Sequence, residues 1–139
     1  MQPPGPEPAR APKDSASRDP ARRQALGRLG EDAAARYLEG LGLSVLSRNF
    51  RVRRGEIDLI ARDGPALVFV EVKTRRGTGY GTPAASVTPV KVRRLRRAAL
   101  EYLDQHTGPA SGELRFDLIA VEVDGRGAIE RIEHLRGIE

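Results

Sequence analysis

Four charged residues interrupt two runs that otherwise read as buried strands. Glu56 and Asp58 lie in Gly55-Glu56-Ile57-Asp58-Leu59-Ile60-Ala61, and Glu71 and Lys73 in Phe69-Val70-Glu71-Val72-Lys73. Charges in a sheet interior are costly unless they are paired or hold a metal. The four are therefore either an ion-pair network or a reactive site. Asp63-Gly64 between the runs is a hairpin signal, and a tight turn centred there sets Glu56 opposite Glu71 and Asp58 opposite Phe69. Opposed residues share a face and side chains alternate along a strand, so all four are expected on one side of the sheet, with Val72 on the other. Asp58 and Glu71 become diagonal neighbours, roughly 7–8 Å apart at the backbone, and can converge on one cation.

Oxygen ligands without His or Cys suit a hard ion, Mg²⁺ or Mn²⁺. Such an ion binds phosphate oxygens and stabilises the charge of an in-line displacement. Lys73 would position or deprotonate the attacking water and neutralise developing charge. Lysine is scarce here, only Lys13, Lys73 and Lys91 against 21 arginines. One retained beside carboxylates points to a need for a compact, deprotonatable ammonium. Glu31, in Leu26-Gly27-Arg28-Leu29-Gly30-Glu31, could complete the metal shell. The two helical glycines, each costing about 1 kcal/mol relative to Ala, suggest close approach of that helix to backbone or substrate. Glu56 reads as a structural acid paired with Arg54 or Lys73, and Asp117 as a buried structural acid; His106 and His134 read as incidental.

The elements that must position these residues follow from periodicity and turn chemistry. Leu26, Leu29, Ala33, Tyr37 and Leu41 mark a helix from about Arg22 to Glu39, with Gly40 as C-terminal cap. Strands are expected over 43–48, 54–61 and 66–74. A Gly-rich loop over 75–87 leads to a second helix, with Thr88 as N-cap and Pro89 at its first position, running to about Gln105. A fourth strand over 114–123 and a short fifth ending near Leu135 complete the order. Apolar residues of both parities in the second and third strands, Ile57, Leu59 and Val70 against Ile60, Leu67 and Phe69, call for cover on both faces. A mixed central sheet flanked by helices is the α/β architecture expected.

Composition bounds the function classes. The 139 residues suffice for one domain. Residues 1–20 hold six of the ten prolines and read as a disordered tail, leaving a single domain over 21–139. A net charge of +5 and a pI near 10.2 favour a polyanionic partner. Without cysteine, disulfides and thiolate metal sites are excluded. No run approaches the ~20 apolar residues of a membrane helix and no signal-peptide stretch opens the chain, so a cytoplasmic protein without a membrane partner is expected. The run Lys91-Val92-Arg93-Arg94-Leu95-Arg96-Arg97 is a dense like-charge helix face. With Arg51, Arg53, Arg54, Arg75 and Arg76 also basic, it reads as phosphate-contacting, and Tyr80 of the Gly-rich loop as a stacking residue.

Taken together, Gly27-x-x-Gly30-Glu31, Arg54-Gly55-Glu56-Ile57-Asp58, Phe69-Val70-Glu71-Val72-Lys73 and Thr88-Pro89-x-Lys91 resemble the bacterial YraN-like family. More widely they resemble the PD-(D/E)XK restriction-endonuclease-like superfamily, in a pattern related to archaeal Holliday-junction resolvases. The resemblance covers roughly residues 24–135. It implies a restriction-endonuclease-like αβββαβ core, Asp58, Glu71 and Lys73 as catalytic core, and Glu31 and Lys91 as supporting positions. Gly55-Glu56-Ile57-Asp58 stands where the superfamily has its Pro-Asp signature, with the metal-binding Asp retained. The expected activity is a Mg²⁺- or Mn²⁺-dependent endonuclease acting on structured or branched DNA. A homodimer would supply the two sites a symmetric junction needs. The alternative is a nucleic-acid-binding protein that keeps the nuclease fold without its chemistry.

Overall fold

The computed structural model describes residues 19–53, 55–77, 81–106 and 112–139. Most of the expected tail, Arg54 and Tyr80 lie outside the described residues. Helix α1 (Pro20–Gly40) is followed by β1 (Ser44–Val52), β2 (Gly55–Asp63) and β3 (Ala66–Arg76); a 3-10 turn (Pro83–Ser86) leads to α2 (Pro89–Gln105), then β4 (Glu113–Val123) and β5 (Ile129–Leu135). The strands form one sheet in the order β1-β2-β3-β4-β5. Only β3 and β4 run parallel, and α2 is the crossover between them. The observed order is thus an αβββαβ core with a fifth strand at its edge.

Helix ends were set by local chemistry. The Asp19 carboxylate accepts from the backbone N–H groups of Ala21 and Arg22, with Pro20 in the first turn, so α1 begins two residues before the expected Arg22. It also runs through Gly40: the left-handed residue is Gly42 (φ 96°), whose N–H bonds Glu39 O while that of Leu43 bonds Leu38 O. This is a Schellman closure, and Leu38 and Leu43 supply its apolar contact. Thr88 caps α2 as expected, its hydroxyl accepting from the Lys91 N–H.

Each face of the sheet carries one core layer. Small residues on α1 (Gly30, Ala33, Ala34) together with Leu38 let that helix lie close on Leu59, Ala61, Val68, Val70, Ile119 and Val121. On the other face Leu95, Ala98, Ala99 and Tyr102 of α2 cover Ile60, Leu67, Phe69 and Phe116. Burying each large apolar side chain stabilises the fold by about 1.5–3 kcal/mol, and the central strands are covered on both sides.

Two expectations about β2 are corrected. The hairpin register pairs Asp63 with Ala66, Ile60 with Phe69 and Leu59 with Val70, so the turn is centred on Gly64-Pro65 rather than on Asp63-Gly64. Gly64 takes the left-handed conformation (φ 59°) that the two-residue turn requires. The displacement is two residues, which leaves the alternation of faces unchanged. The second correction concerns Ile57, which packs in the α2 layer although it shares parity with Leu59 of the α1 layer. The alternation breaks between them, opposite Asn49 of β1, whose φ of 53° interrupts the extended backbone between the pairs Arg48–Leu59 and Phe50–Ile57.

Candidate metal centre

The site forms where the β2–β3 ladder stops. Beyond the pair Leu59–Val70 the strands no longer exchange ladder bonds, and the N–H of Val72 donates instead to Asp58 Oδ2 at 2.8 Å. A side chain has taken the place of the neighbouring strand's carbonyl. It satisfies a backbone donor and holds the Asp58 carboxylate in the cleft between β2 and β3.

Two further carboxylates reach it. One oxygen each from Glu31 of α1 and from Glu56 and Asp58 of β2 lie within 4.8 Å of one another. Glu31 is brought there by the close seating of α1, since Gly30 packs on Thr74 of β3 with no room for a Cβ. Asn49 ties the group together: its Nδ2 donates to Glu31 Oε1 at 3.0 Å and to Glu56 Oε2 at 3.3 Å. Burial pushes the Asp58 carboxyl up to about 7; the Val72 N–H opposes the shift, and the charges of Glu31, Glu71 and Glu56 add to it. Negative charge gathered this closely attracts a cation.

The donor set fits a hard divalent ion. It consists of carboxylate oxygens alone, and their spread is close to the roughly 4 Å that separates opposite ligands around Mg²⁺ at 2.0–2.1 Å. A bound Mg²⁺ or Mn²⁺ would be held by Glu31, Glu56 and Asp58 and would polarise a phosphoryl oxygen.

The remaining expected site residues are distributed around this centre. Glu71 is half-buried and acts on Asp58 through its charge. It lies outside the group of three, with its Oε2 4.0 Å from Lys91 Nζ in the first turn of α2. Lys73 follows on the same parity of β3 and is exposed, while Val72 between them packs against the α1 layer. The structure thus gathers Glu31 with Asp58, adds Glu56, and places Glu71, Lys73 and Lys91 along the adjoining strand and helix. Arg93, Arg94 and Arg97 are exposed on α2. Arg75 is buried and donates to Gly81 O, and Arg76 donates to the carbonyls of Asp124 and Gly125; both hold loops.

Glu56 was read as a structural acid, and Asn49 was not singled out. Asn49 carried a usable signal, because Asn is depleted in strands and enriched among left-handed non-glycine residues. Glu56 shared with Asp58 the signal of a charge within an apolar run, but nothing in the sequence joined it to Glu31, since the Asn49 contact that secures it is tertiary.

A second polar group lies away from the centre. Asp117 is fully buried and receives Arg115, His134 Nε2 at 2.8 Å and the Gly137 N–H at 3.0 Å; Tyr37 OH bonds the other ring nitrogen of His134 at 3.2 Å. Asp117 is the buried structural acid the sequence suggested. His134, expected to be incidental, joins β5 to α1 and β4.

Fold and cluster together define an α/β protein with a candidate carboxylate metal centre at the open end of its central strands. The chain belongs to the uncharacterised protein family UPF0102, which its residues 30–121 match. The YraN-like resemblance of the sequence is to these same bacterial proteins. A UPF0102 protein of Streptomyces griseus is 57% identical over 116 residues, covering 84% of this chain and 97% of the relative. One from Rhodococcus opacus is 54% identical over 112 residues (81% and 93%). One from Geobacter sulfurreducens is 52% identical over 110 residues (79% and 84%). The matched span contains Glu31, Asn49, Glu56, Asp58, Glu71, Lys73 and Lys91. Among the described residues no helix is long and apolar enough to cross a membrane.

Proposed function

We propose that this protein is a Mg²⁺- or Mn²⁺-dependent endonuclease of the PD-(D/E)XK class that hydrolyses phosphodiester bonds in structured or branched DNA. The observation that carries the reading is the meeting of Glu31, Glu56 and Asp58 from two elements where the β2–β3 ladder opens. A purely structural group of acids would be expected to recruit cations of the chain. Here the shared hydrogen-bond donor is a neutral amide, Asn49.

Within this reading the carboxylates bind the divalent ion and Asn49 holds two of them in place. Glu71 adds negative charge beside Asp58. The Lys73 ammonium orients the attacking water and offsets charge developing on the scissile phosphate. Lys91 keeps Glu71 oriented and offers a second cation at the same end of the cleft.

The test is cleavage of a labelled panel (four-way junction, flap, single strand, duplex and RNA) in Mn²⁺, Mg²⁺ or EDTA, with Asp58→Ala and Lys73→Ala beside the wild type. Metal-dependent cutting, lost in both variants while binding persists, is the expected result. Binding without cutting, or cutting that survives both substitutions, would leave a nucleic-acid-binding protein on a nuclease fold.

A further inference from the structure

An open groove of about 1010 Å³ runs between the end of β1 and the exposed face of α2. Arg53 stands on one wall, and Arg93, Arg94, Arg97, Glu101 and Asp104 recur at helical spacing on the other. The walls are tied together, because both Glu101 oxygens accept from the Arg53 backbone N–H, at 3.2 and 3.1 Å. That contact engages Glu101 and leaves the groove strongly cationic toward the start of α2. From Arg93 to Asp104 the helical wall is about 17 Å long at 1.5 Å per residue, which spans several backbone phosphates.

The cationic end adjoins the metal centre. Lys91, one turn before Arg94, contacts Glu71. On β1, the strand that leads to Arg53, Arg51 is the ladder partner of Glu56. A strand threaded through the carboxylate cleft would therefore continue into this groove.

What the groove lacks decides the form of ligand. Among the described residues that line it none is aromatic. Among the described residues, the aromatic ring of α2 is committed elsewhere: Tyr102 is buried and packs edge-on to Phe50 and Phe69 and stacks on His106. Single-strand binders depend on base–aromatic stacking, whereas arginines without stacking platforms suit the outside of a double helix.

We propose that this groove seats the phosphate backbone of a duplex arm, delivering the neighbouring stretch of strand to the carboxylate centre. The inference rests on the nuclease reading and specifies its substrate as double-stranded beside the cut. The experiment is fluorescence anisotropy of a labelled duplex and of its separated strand in EDTA over a salt series, which measures binding without turnover. Wild type is compared with Arg93→Gln/Arg94→Gln/Arg97→Gln and with Arg53→Gln. All four side chains are exposed, and circular dichroism of each variant confirms that it is folded.

The wild type should bind duplex more tightly than single strand, with log K falling by about 0.9 per phosphate contact for each unit of log salt. The triple variant should lose roughly two to three such contacts from that slope, and Arg53→Gln about one. An unchanged slope in the triple variant, while the wild type binds or cuts, overturns the groove and spares the nuclease reading. Tighter binding of single strand overturns the duplex assignment. A wild type that binds no nucleic acid at low salt overturns both readings together.

Discussion

The carboxylate of Asp58 in β2 accepts the backbone N–H of Val72 in β3 at 2.8 Å, one step beyond the last ladder pair of the two strands. The bond fixes the group that the candidate centre most depends on. It also holds that group where burial and the charges of Glu31, Glu71 and Glu56 raise its pKa from 3.8 to about 7.

The raised pKa has a defined consequence for the metal-free protein. The folded state holds the Asp58 proton more tightly than the unfolded chain does. Its contribution to stability is therefore fully present below about pH 3.8 and is lost as pH rises through about 7. Asp58→Asn keeps an oxygen for the Val72 N–H and removes the charge. In EDTA at about pH 8 the variant should exceed the wild type in stability by on the order of 1–3 kcal/mol, with the gap closing toward pH 4. Urea denaturation at the two pH values measures it, and a gap that does not change with pH would contradict the buried-carboxylate account.

Asn49 combines a left-handed backbone with a bridging amide. Asn49→Gly suits the φ of 53° and deletes the donor to Glu31 and Glu56. It should fold normally yet bind Mn²⁺ roughly tenfold more weakly, as loss of an orienting partner typically does. Asn49→Val should instead lose about 1–2 kcal/mol of stability, because a Cβ-branched residue resists the left-handed region. Titration of Mn²⁺ followed by electron paramagnetic resonance reads the first effect and thermal melting the second. Wild-type Mn²⁺ affinity in Asn49→Gly would remove Asn49 from the centre.

Gly30 sets the distance between α1 and β3. A Cβ there would lie 1.7 Å from Thr74 Oγ1 and 2.8 Å from Thr74 Cβ, so helix or strand must shift. Gly30→Ala should therefore destabilise by about 1–3 kcal/mol, despite Ala's better helix propensity. It should also weaken Mn²⁺ binding, since Glu31 moves with the helix. Gly27 has open space around it, and Gly27→Ala should be stabilising by about 0.5–1 kcal/mol. Equal effects at the two glycines in denaturant unfolding would argue against the close approach.

Asp117 tests the second polar group. Burial pushes its carboxyl up, but His134, Arg115 and the Gly137 N–H outweigh this and hold the pKa below 3.8. Its stabilising contribution is thus present above pH 3.8 and is lost as pH falls through the depressed folded value. Asp117→Ala leaves Arg115 and His134 without their shared partner and should cost about 3–5 kcal/mol near neutral pH. The difference from wild type should shrink in acid, which thermal melts at about pH 7 and pH 3 would show.

The elements of this protein were largely legible in one dimension because each is specified by neighbours in the chain. Thr88-Pro89 caps α2 through a contact three residues long. The double-sided apolar character of β2 and β3 demanded the two helical layers that cover them. Glu56, Asp58, Glu71 and Lys73 stood out because charge within an apolar strand is a local anomaly. Tertiary structure decided how those charges are grouped. Strict alternation predicts one face for all four, but the left-handed Asn49 and the slip between Ile57 and Leu59 break it at the site itself. Glu56 and Glu31 then meet Asp58, while Glu71 turns toward Lys91. Periodicity describes an unbroken strand, and this strand is broken where its carboxylates gather.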